Sequence, residues 1–422
     1  MSEQNKCEHT DYRLCFTLKQ HTPIIHFQAE QKGATLRATE LKPKLDRFLI
    51  EKFKKEGVDY KPFLIVGQDG ALDYKVRVEP NFDSVDNSAD LRSSLYFAGR
   101  KPNYLTEEET KEFENNRKKF KSQSKKFKIY MTVFNGKLKI AIEEWFSSFI
   151  FQTNFGTRQS KGFGSFVVLD DELKELPKNL YKFTASSQKD AFDKINYFYK
   201  MLRSGINEYK KDNNDEQVSI FYGKSLLWLY AKEKKWMWDK KAIKKYFFND
   251  KRKQEMSDHE YPNIMCYTSK GYLVRDLLGL SVEQSWFSYR ATVLKADENR
   301  KITRFKSPIT FKPIQTKDGY DVYYWANDIP KEFLKSTFQI YLSDDKKNIK
   351  KLSPPDNFSI DKFLEFIFDF KEKKTLSQHI DEKYYVDPPN TLNINNYYNP
   401  TSIYTKLTEV FDSIERIPNA KN

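Results

Sequence analysis

The sequence predicts an α+β protein built from two ferredoxin-like domains, antiparallel sheets with helices on one face, plus insertions. Three observations predict it. At 422 residues the chain exceeds what one ordinary core holds and suits two domains. Its first half runs strand, helix, strand, strand, helix, strand, the order of a ferredoxin-like sheet. After a polar boundary at "DDELKELPKNL" (170–180) a strand and a helix begin again.

"DYRLCFTLK" (11–19) alternates Tyr12, Leu14, Phe16 and Leu18 against Arg13, Cys15, Thr17 and Lys19, the pattern of a half-buried strand that "TPII" extends. "TLRATELKPKLDRFLIEKF" (35–53) places Leu41, Leu45, Phe48 and Leu49 at helical spacing, with Thr39 or Glu40 near its start. "FLIVG" and "ALDYKVRVEP" flank Gln68-Asp69-Gly70, a hairpin signal. From about 81 to 125 the pattern gives way to polar sequence, an insertion or a short helix near 106–121. "KFKIYMTVF" (126–134) resumes as a strand and "KLKIAIEEWFSSFIFQ" (137–152) is an amphipathic helix. "GFGSFVVL" returns as a strand.

In the second half "YKFTAS" reads as a strand, Ser187 to Arg203 as an aromatic-rich helix, and 223–250 as helical after the polar break "KKDNNDEQ". Strands are expected at 285–294, 321–326 and 337–342, and a helix at 360–374. This half reads as a diverged copy of the first fold. The expected division is an N-terminal domain over 1–175, a C-terminal domain over 176–390 with a helical insertion, and a tail over 391–422. The tail stretch "NNYYNPTSIYTK" is aromatic yet polar, and reads as a docking segment rather than core.

Hydrophobic residues make up 39% of the chain and aromatics 16%, enough for real cores. The longest apolar runs, such as "WFSSFIF" (145–151), fall far short of the roughly 20 residues that span a bilayer. "MSEQNKCEHTDYRL" contains no apolar signal segment. Cys7, Cys15 and Cys266 are few and lack metal spacing, so the expectation is a cytoplasmic protein without a disulfide framework. A net charge of +14 points to a polyanion, most commonly nucleic acid; a lysine-rich composition with no binding role is the plainer alternative.

"FGTRQSKGFGS" (155–165) gathers three of the chain's 14 glycines around an arginine and a lysine. Gly156, Gly162 and Gly164 permit positive φ and close approach of a partner, and such a turn can offer backbone N–H groups to a phosphate. Arg158 and Lys161 add charge, and Phe163 either meets a base or enters the core. A tight turn needing glycine for steric reasons alone explains the stretch equally well. The second basic signal is Arg37, Lys42, Lys44 and Arg47 at the start of the first helix; a solvated helix face is the competing reading. The third is Arg290, Arg304, Lys306 and Lys312, read as lying on strands with Tyr289, Phe305 and Phe311, a mixture that suits single-stranded RNA. At least one of those phenylalanines is expected in the core.

Signals for chemistry are thin. His9, His21, His26, His259 and His379 form no metal-binding spacing, and neither a metal nor a cofactor is expected. His21 and His26 flank "TPII", where a general base for RNA cleavage would sit. Asp83, Asp86 and Asp90 are candidate carboxylates in the insertion. Loop histidines and loop acids of no catalytic role explain both.

These stretches together resemble the RAMP superfamily of CRISPR proteins, which carry ferredoxin-like RNA-binding domains. The resemblance rests on an initial strand ending "LKQHTPIIH", on "LRATELKPKLDRFL", and above all on "FGTRQSKGFGSFVV". Gly156, Arg158, Gly162, Phe163, Gly164 and Ser165 match Gly-x-Arg-x-x-x-Gly-Phe-Gly-Ser before a final strand. "RDLLGLS" (275–281) and "RFKSPITFKPI" (304–314) look like elements of the large two-domain RAMP subunit of the Cmr-type (type III) effector complex, with Arg304, Ser307, Pro308 and Lys312 in register. The delay of glycine to Gly33 after the first strand departs from the family pattern. The resemblance implies a non-catalytic subunit in antiviral defence that holds the 3′ part of the guide RNA or its duplex with target RNA. It implies other RAMP subunits as partners and no membrane. A CRISPR-RNA-processing endoribonuclease is the enzymatic alternative, although its glycine-rich loop usually lies near the C-terminus. An interaction module for acidic proteins is the third reading.

Overall fold

The computed structural model describes residues 9–25, 36–79, 85–86, 106–108, 120–123, 126–169, 171–211, 217–248, 271–286, 291–299, 301–373 and 403–418. The chain divides into two compact units, one of Met1–Asp193, Phe311–Trp325 and Glu415–Asn422, the other of Lys194–Thr310 and Ala326–Ile414.

The first sheet follows the expected order. β1 (Arg13–Gln20), β3 (Lys75–Glu79), β6 (Lys126–Thr132) and β7 (Phe166–Val168) lie side by side as β3-β6-β1-β7. Every pairing is antiparallel, with Phe16 opposite Ile129 and Leu18 opposite Val168. Counted along the chain the strand order is 2-3-1-4, the ferredoxin-like arrangement. Alternation decides which face is covered. Leu14, Phe16, Leu18, Phe127, Ile129 and Met131 meet Leu41, Leu45 and Leu49 of α1 (Ala38–Glu56) and Ile142, Phe146 and Phe149 of α2 (Gly136–Gln152). Local signals set the helix ends: Asn135 Oδ1 accepts the Leu138 N–H at 3.1 Å, and α1 stops at Gly57, whose φ is +70°.

Three details differ from the sequence expectation. "TPII" does not extend β1; Ile24–Ile25 forms β2 in a three-stranded sheet with β5 (Phe120–Gln123) and β4 (Val85–Asp86), so part of the insertion is strand. "FLIVG" forms only a single bridge, Leu64 to Leu72, across the Asp-Gly turn, because Pro62 begins a 3-10 turn at Lys61–Phe63. Cys15 is disulfide-bonded, where the cysteine count led to no such expectation.

The second half repeats the topology. β8 (Tyr181–Ala185) leads into α3 (Gln188–Arg203). Strands β13 (Ile309–Gln315), β14 (Tyr320–Ala326) and β17 (Glu415–Arg416) join β8 in the order β13-β14-β8-β17, again 2-3-1-4. Long segments separate its members. One holds the hairpin β9 (Ile206–Lys211) and β10 (Gln217–Gly223), then α4 (Leu226–Glu233) and α5 (Asp239–Phe247). The polar break "KKDNNDEQ" thus includes the end of β9 and the first residue of β10; residues 212–216 between them lie outside the described residues. The segments also supply β11 (Glu283–Trp286), β12 (Ala291–Asp297), α6 (Lys331–Leu334), β15 (Phe338–Leu342) and β16 (Lys350–Leu352). Four of these strands pair as β11-β12-β15-β16. α7 (Ile360–Lys373) and α8 (Ile403–Ser413) follow. Residues 391–402 and 419–422 of the tail lie outside the described residues; in the described part Leu407, Val410, Phe411 and Ile414 are buried while Glu409, Asp412, Glu415 and Arg416 are exposed, so one side of it joins the core.

Candidate nucleic-acid interface

The glycine-rich stretch connects α2 to β7 and wraps the end of β1. Its glycines answer to crowding. Gly156 has φ +82°, and a Cβ there would lie 2.5 Å from the Ile25 carbonyl oxygen and 2.8 Å from Ile24 Cγ1. Gly164 has φ +66°, and a Cβ there would overlap the Phe155 carbonyl. Gly162 has φ +86°. At Gly156 and at Gly164 the atom nearest the added Cβ is a backbone carbonyl oxygen of the protein itself.

Most loop amides are already spent. Gly156 N–H donates to Glu40 Oε1 at 2.7 Å, Thr157 N–H to Ile25 O at 2.8 Å and Gly164 N–H to Pro23 O at 2.8 Å. Thr22 Oγ1 donates to Gly162 O at 2.6 Å and accepts from the Ser165 N–H at 2.9 Å. Asn154, buried, donates through Nδ2 to Gln159 O at 2.6 Å and to Phe311 O at 2.7 Å. Sequence reasoning passed over Glu40 as an anchor and Asn154 altogether; a carboxylate in the first turn of α1, where N–H groups converge, was the available signal.

The predicted cations divide into two groups. Lys42 donates to Asp46 Oδ2 and Leu72 O, both at 2.8 Å, and lies 4.2 Å from the Tyr74 ring centre. Lys44 donates to Glu40 Oε1 at 2.8 Å, Gln159 Oε1 at 3.0 Å and Asn154 O at 3.1 Å. Lys161 is only 7% exposed, with its ammonium 5.9 Å from the Phe311 ring centre. Lys312 is fully buried on β13 and donates to the Ile150 and Thr153 carbonyls at 2.7 and 3.0 Å, closing the C-terminus of α2. Burial holds its pKa well below the usual lysine range. By contrast Arg47 is exposed, and Arg37 and Arg158 are half-buried. Arg37 sits at the start of α1 and Arg158 in the loop, with φ +56°. The Glu40 contact to Gly156 joins those two places. On a helical wheel Arg37, Glu40, Lys44 and Arg47 share one side of α1, whereas Lys42 lies on another.

Phe163 enters the core, 0% exposed and stacked on Phe192 at 4.3 Å between ring centres. Phe311 is likewise fully buried, and Phe305 stacks on Phe333 at 4.3 Å. Arg304 and Lys306 are exposed, not on a strand but in the irregular segment before β13, where Phe305 makes a single bridge to Leu280. Arg290 lies outside the described residues, as do His26, His259, His379, Asp83 and Asp90.

His21 is buried. Its Nδ1 accepts the Gln315 N–H at 2.9 Å, and Gln188 Nε2 and Tyr320 OH both donate to its carbonyl at 3.3 Å. Burial, with Lys19 and then Lys312 nearby, lowers its pKa to about 3. It is a neutral acceptor tying the two sheets' strands together, not an accessible base. Among the described residues no group of three His, Cys, Asp or Glu side chains is placed to hold a metal.

Family models for the Cmr1 N-terminal domain and the Cmr1 C-terminal domain match residues 11–206 and 222–386. Among solved structures, the chain is similar to a cryo-EM structure of the type III-B Cmr-beta complex bound to cognate target RNA and AMPPnP in the presence of ssDNA. Identity there is 12% and the TM-score 0.32, over 85% of this chain and 98% of that one. A Cmr-beta structure bound to cognate target RNA gives 15% identity and a TM-score of 0.30 over 84% and 98% of the two chains. The apo crystal structure of Cmr1 from Pyrococcus furiosus gives 10% and 0.30 over 81% and 99%. No curated protein matches the chain.

Proposed function

Since the chain belongs to the Cmr1 family, both of whose domains it carries, we propose that it is an RNA-binding RAMP subunit of a type III CRISPR effector complex in antiviral defence. In this reading it holds the 3′ part of the guide RNA, or the guide–target duplex, beside other RAMP subunits in the cytoplasm. Sequence specificity then comes from base pairing, and the protein contacts backbone and shape. The observation that supports it most is the arrangement at α1. Arg37 at the start of α1 and Arg158 in the loop stand on the two elements that the Glu40–Gly156 hydrogen bond joins, and Arg47 is exposed on the same side of α1. Arginine is suited to phosphate because its fork donates two parallel hydrogen bonds. Arg304 and Lys306 are the phosphate contacts proposed for the second unit.

The contribution is binding rather than cleavage. A processing endoribonuclease needs a reachable base; His21, one of its two candidates, is buried and already accepting a hydrogen bond, and His26, the other, lies outside the described residues. Among the described residues no helix is long and apolar enough to cross a membrane. The test is binding to a labelled single-stranded RNA across a salt series, with and without Mg²⁺, with the RNA examined on a gel. Intact RNA bound with a steep salt dependence is expected. Metal-free cleavage at discrete positions would replace this reading with the processing enzyme.

A further inference from the structure

The first sheet has a second face, away from α1 and α2, that the sequence motifs do not touch. Strand register places its members. Across the sheet Arg13 stands opposite Thr132 and Thr132 opposite Lys75; Tyr130 lies between Cys15 and Arg77; Lys128 lies between Thr17 and Glu79; Lys19 stands directly opposite Lys126. These residues alternate with the core positions Leu14, Phe16, Leu18, Phe127, Ile129 and Met131, so all project to the side the helices leave open. Arg13, Lys75, Arg77 and Lys126 are exposed, and Lys19 and Lys128 are half-exposed. Glu79 is the single acid among them, and Tyr130 carries the Arg13 guanidinium 4.1 Å from its ring centre. Cys15, disulfide-bonded, is the buried member of the face.

Like charges directly opposite on neighbouring strands destabilise a sheet, and Lys19 against Lys126 is such a pair. Neighbouring strands are about 4.8 Å apart, and successive same-face residues on one strand about 6.8 Å. The cations therefore form a lattice on one plane rather than one compact pocket. A compact anion touches one or two of them; an extended polyanion touches many. The Arg13 guanidinium, held over the Tyr130 ring, adds a planar cation on which a base can stack.

We propose that this open sheet face, through Arg13, Lys19, Lys75, Arg77, Lys126 and Lys128, is a second RNA-contacting surface that takes the phosphate backbone of a single-stranded segment. The proposal rests on the RNA-binding reading above and adds a surface to it. Three variants of the full chain separate the two: Lys75→Ser/Arg77→Ser/Lys126→Ser on the face, Arg47→Ala/Arg158→Ala at α1 and the loop, and both sets combined. Each is titrated with a single-stranded RNA over a KCl series. Removing one cation from a phosphate lowers the slope of log K against log salt by about 0.7 for single strands, so the face variant is expected to lower it by about 2. The combined variant should lower it further. If the wild type binds and the face variant keeps the wild-type slope, the face is not an RNA surface, and an acidic protein becomes its partner by charge. A wild type that binds no RNA sinks both readings together. Circular dichroism of each variant checks the fold, and the exposed positions chosen leave the core untouched.

Discussion

Substituting Gly164 by alanine distinguishes the two roles that glycine can have in "FGTRQSKGFGS". Gly164 has φ +66°, and an added Cβ would meet Phe155 O, then Phe155 C at 2.8 Å and Phe155 N at 3.0 Å, all backbone. A left-handed conformation costs an L-residue roughly 1–2 kcal/mol. Overpacking against atoms that cannot rotate away adds about 1–3 kcal/mol. Gly164→Ala is therefore expected to lose about 2–5 kcal/mol. Gly136 is the internal control: it lies in the first turn of α2, and a Cβ added there would have nothing within 4 Å, so Gly136→Ala should gain about 0.5 kcal/mol. Urea denaturation followed by far-UV circular dichroism reads both, with the midpoint and slope reported separately. The reasoning fails if Gly164→Ala keeps wild-type stability to within about 0.5 kcal/mol and loses RNA affinity instead. That outcome would make the glycine a place for RNA to approach, not for the Phe155 backbone.

Other outcomes follow from particular groups. His21 takes up a proton below pH 6.5 when unfolded but only near about 3 when folded, so the unfolded state binds more protons between those values and stability is lost as pH falls through that window. The gap corresponds to at most about 5 kcal/mol, and His21→Asn, which keeps an acceptor for the Gln315 N–H, should flatten urea midpoints measured from pH 4 to 7. Asp276→Ala strands the fully buried Lys295 ammonium and removes one of several partners of Arg203, so the loss should be about 3–5 kcal/mol; pairing it with Lys295→Met should recover part of that. Arg158→Ala should weaken RNA binding and lower the salt slope by about 0.7 with the fold intact. Lys161→Ala should instead lower the thermal midpoint, because its stem and ammonium are packed against Phe311.

The first sheet was legible because its strands are close in sequence and strictly alternating: Leu14, Phe16 and Leu18 give the inner face of β1 without further information. The second sheet was hard to read for a topological reason. Its strands are drawn from 181–185, 309–315, 320–326 and 415–416, and the last, two residues long in an aromatic tail, has no alternation to detect. The pairing of β9 with β10 was hidden because the sequence between them is a polar run of the kind that also marks linkers. The candidate site was partly legible. The glycine stretch and the start of α1 meet, as Glu40 and Gly156 show. The sequence could not say which lysines meet water, since Lys44, Lys161 and Lys312 reach carbonyls or rings brought from distant parts of the chain.

That division bears on how a chain of net charge +14 should be read. Lys312 closing the carbonyl end of α2, and Lys44 bridging Glu40 to the loop, act as hydrogen-bond donors with long reach; substituting them disturbs folding before it disturbs any ligand. Arg47, Arg77 and Lys126 stand in water, where screening leaves a single ion pair little worth. A polyanion changes that balance because each contact releases a condensed counterion, a gain the protein alone cannot realise. The affinity such residues supply must therefore fall with salt, while the stability supplied by the buried lysines must not. Measured side by side on one set of variants, salt dependence of binding and salt independence of unfolding separate the two populations of charge, which composition adds together.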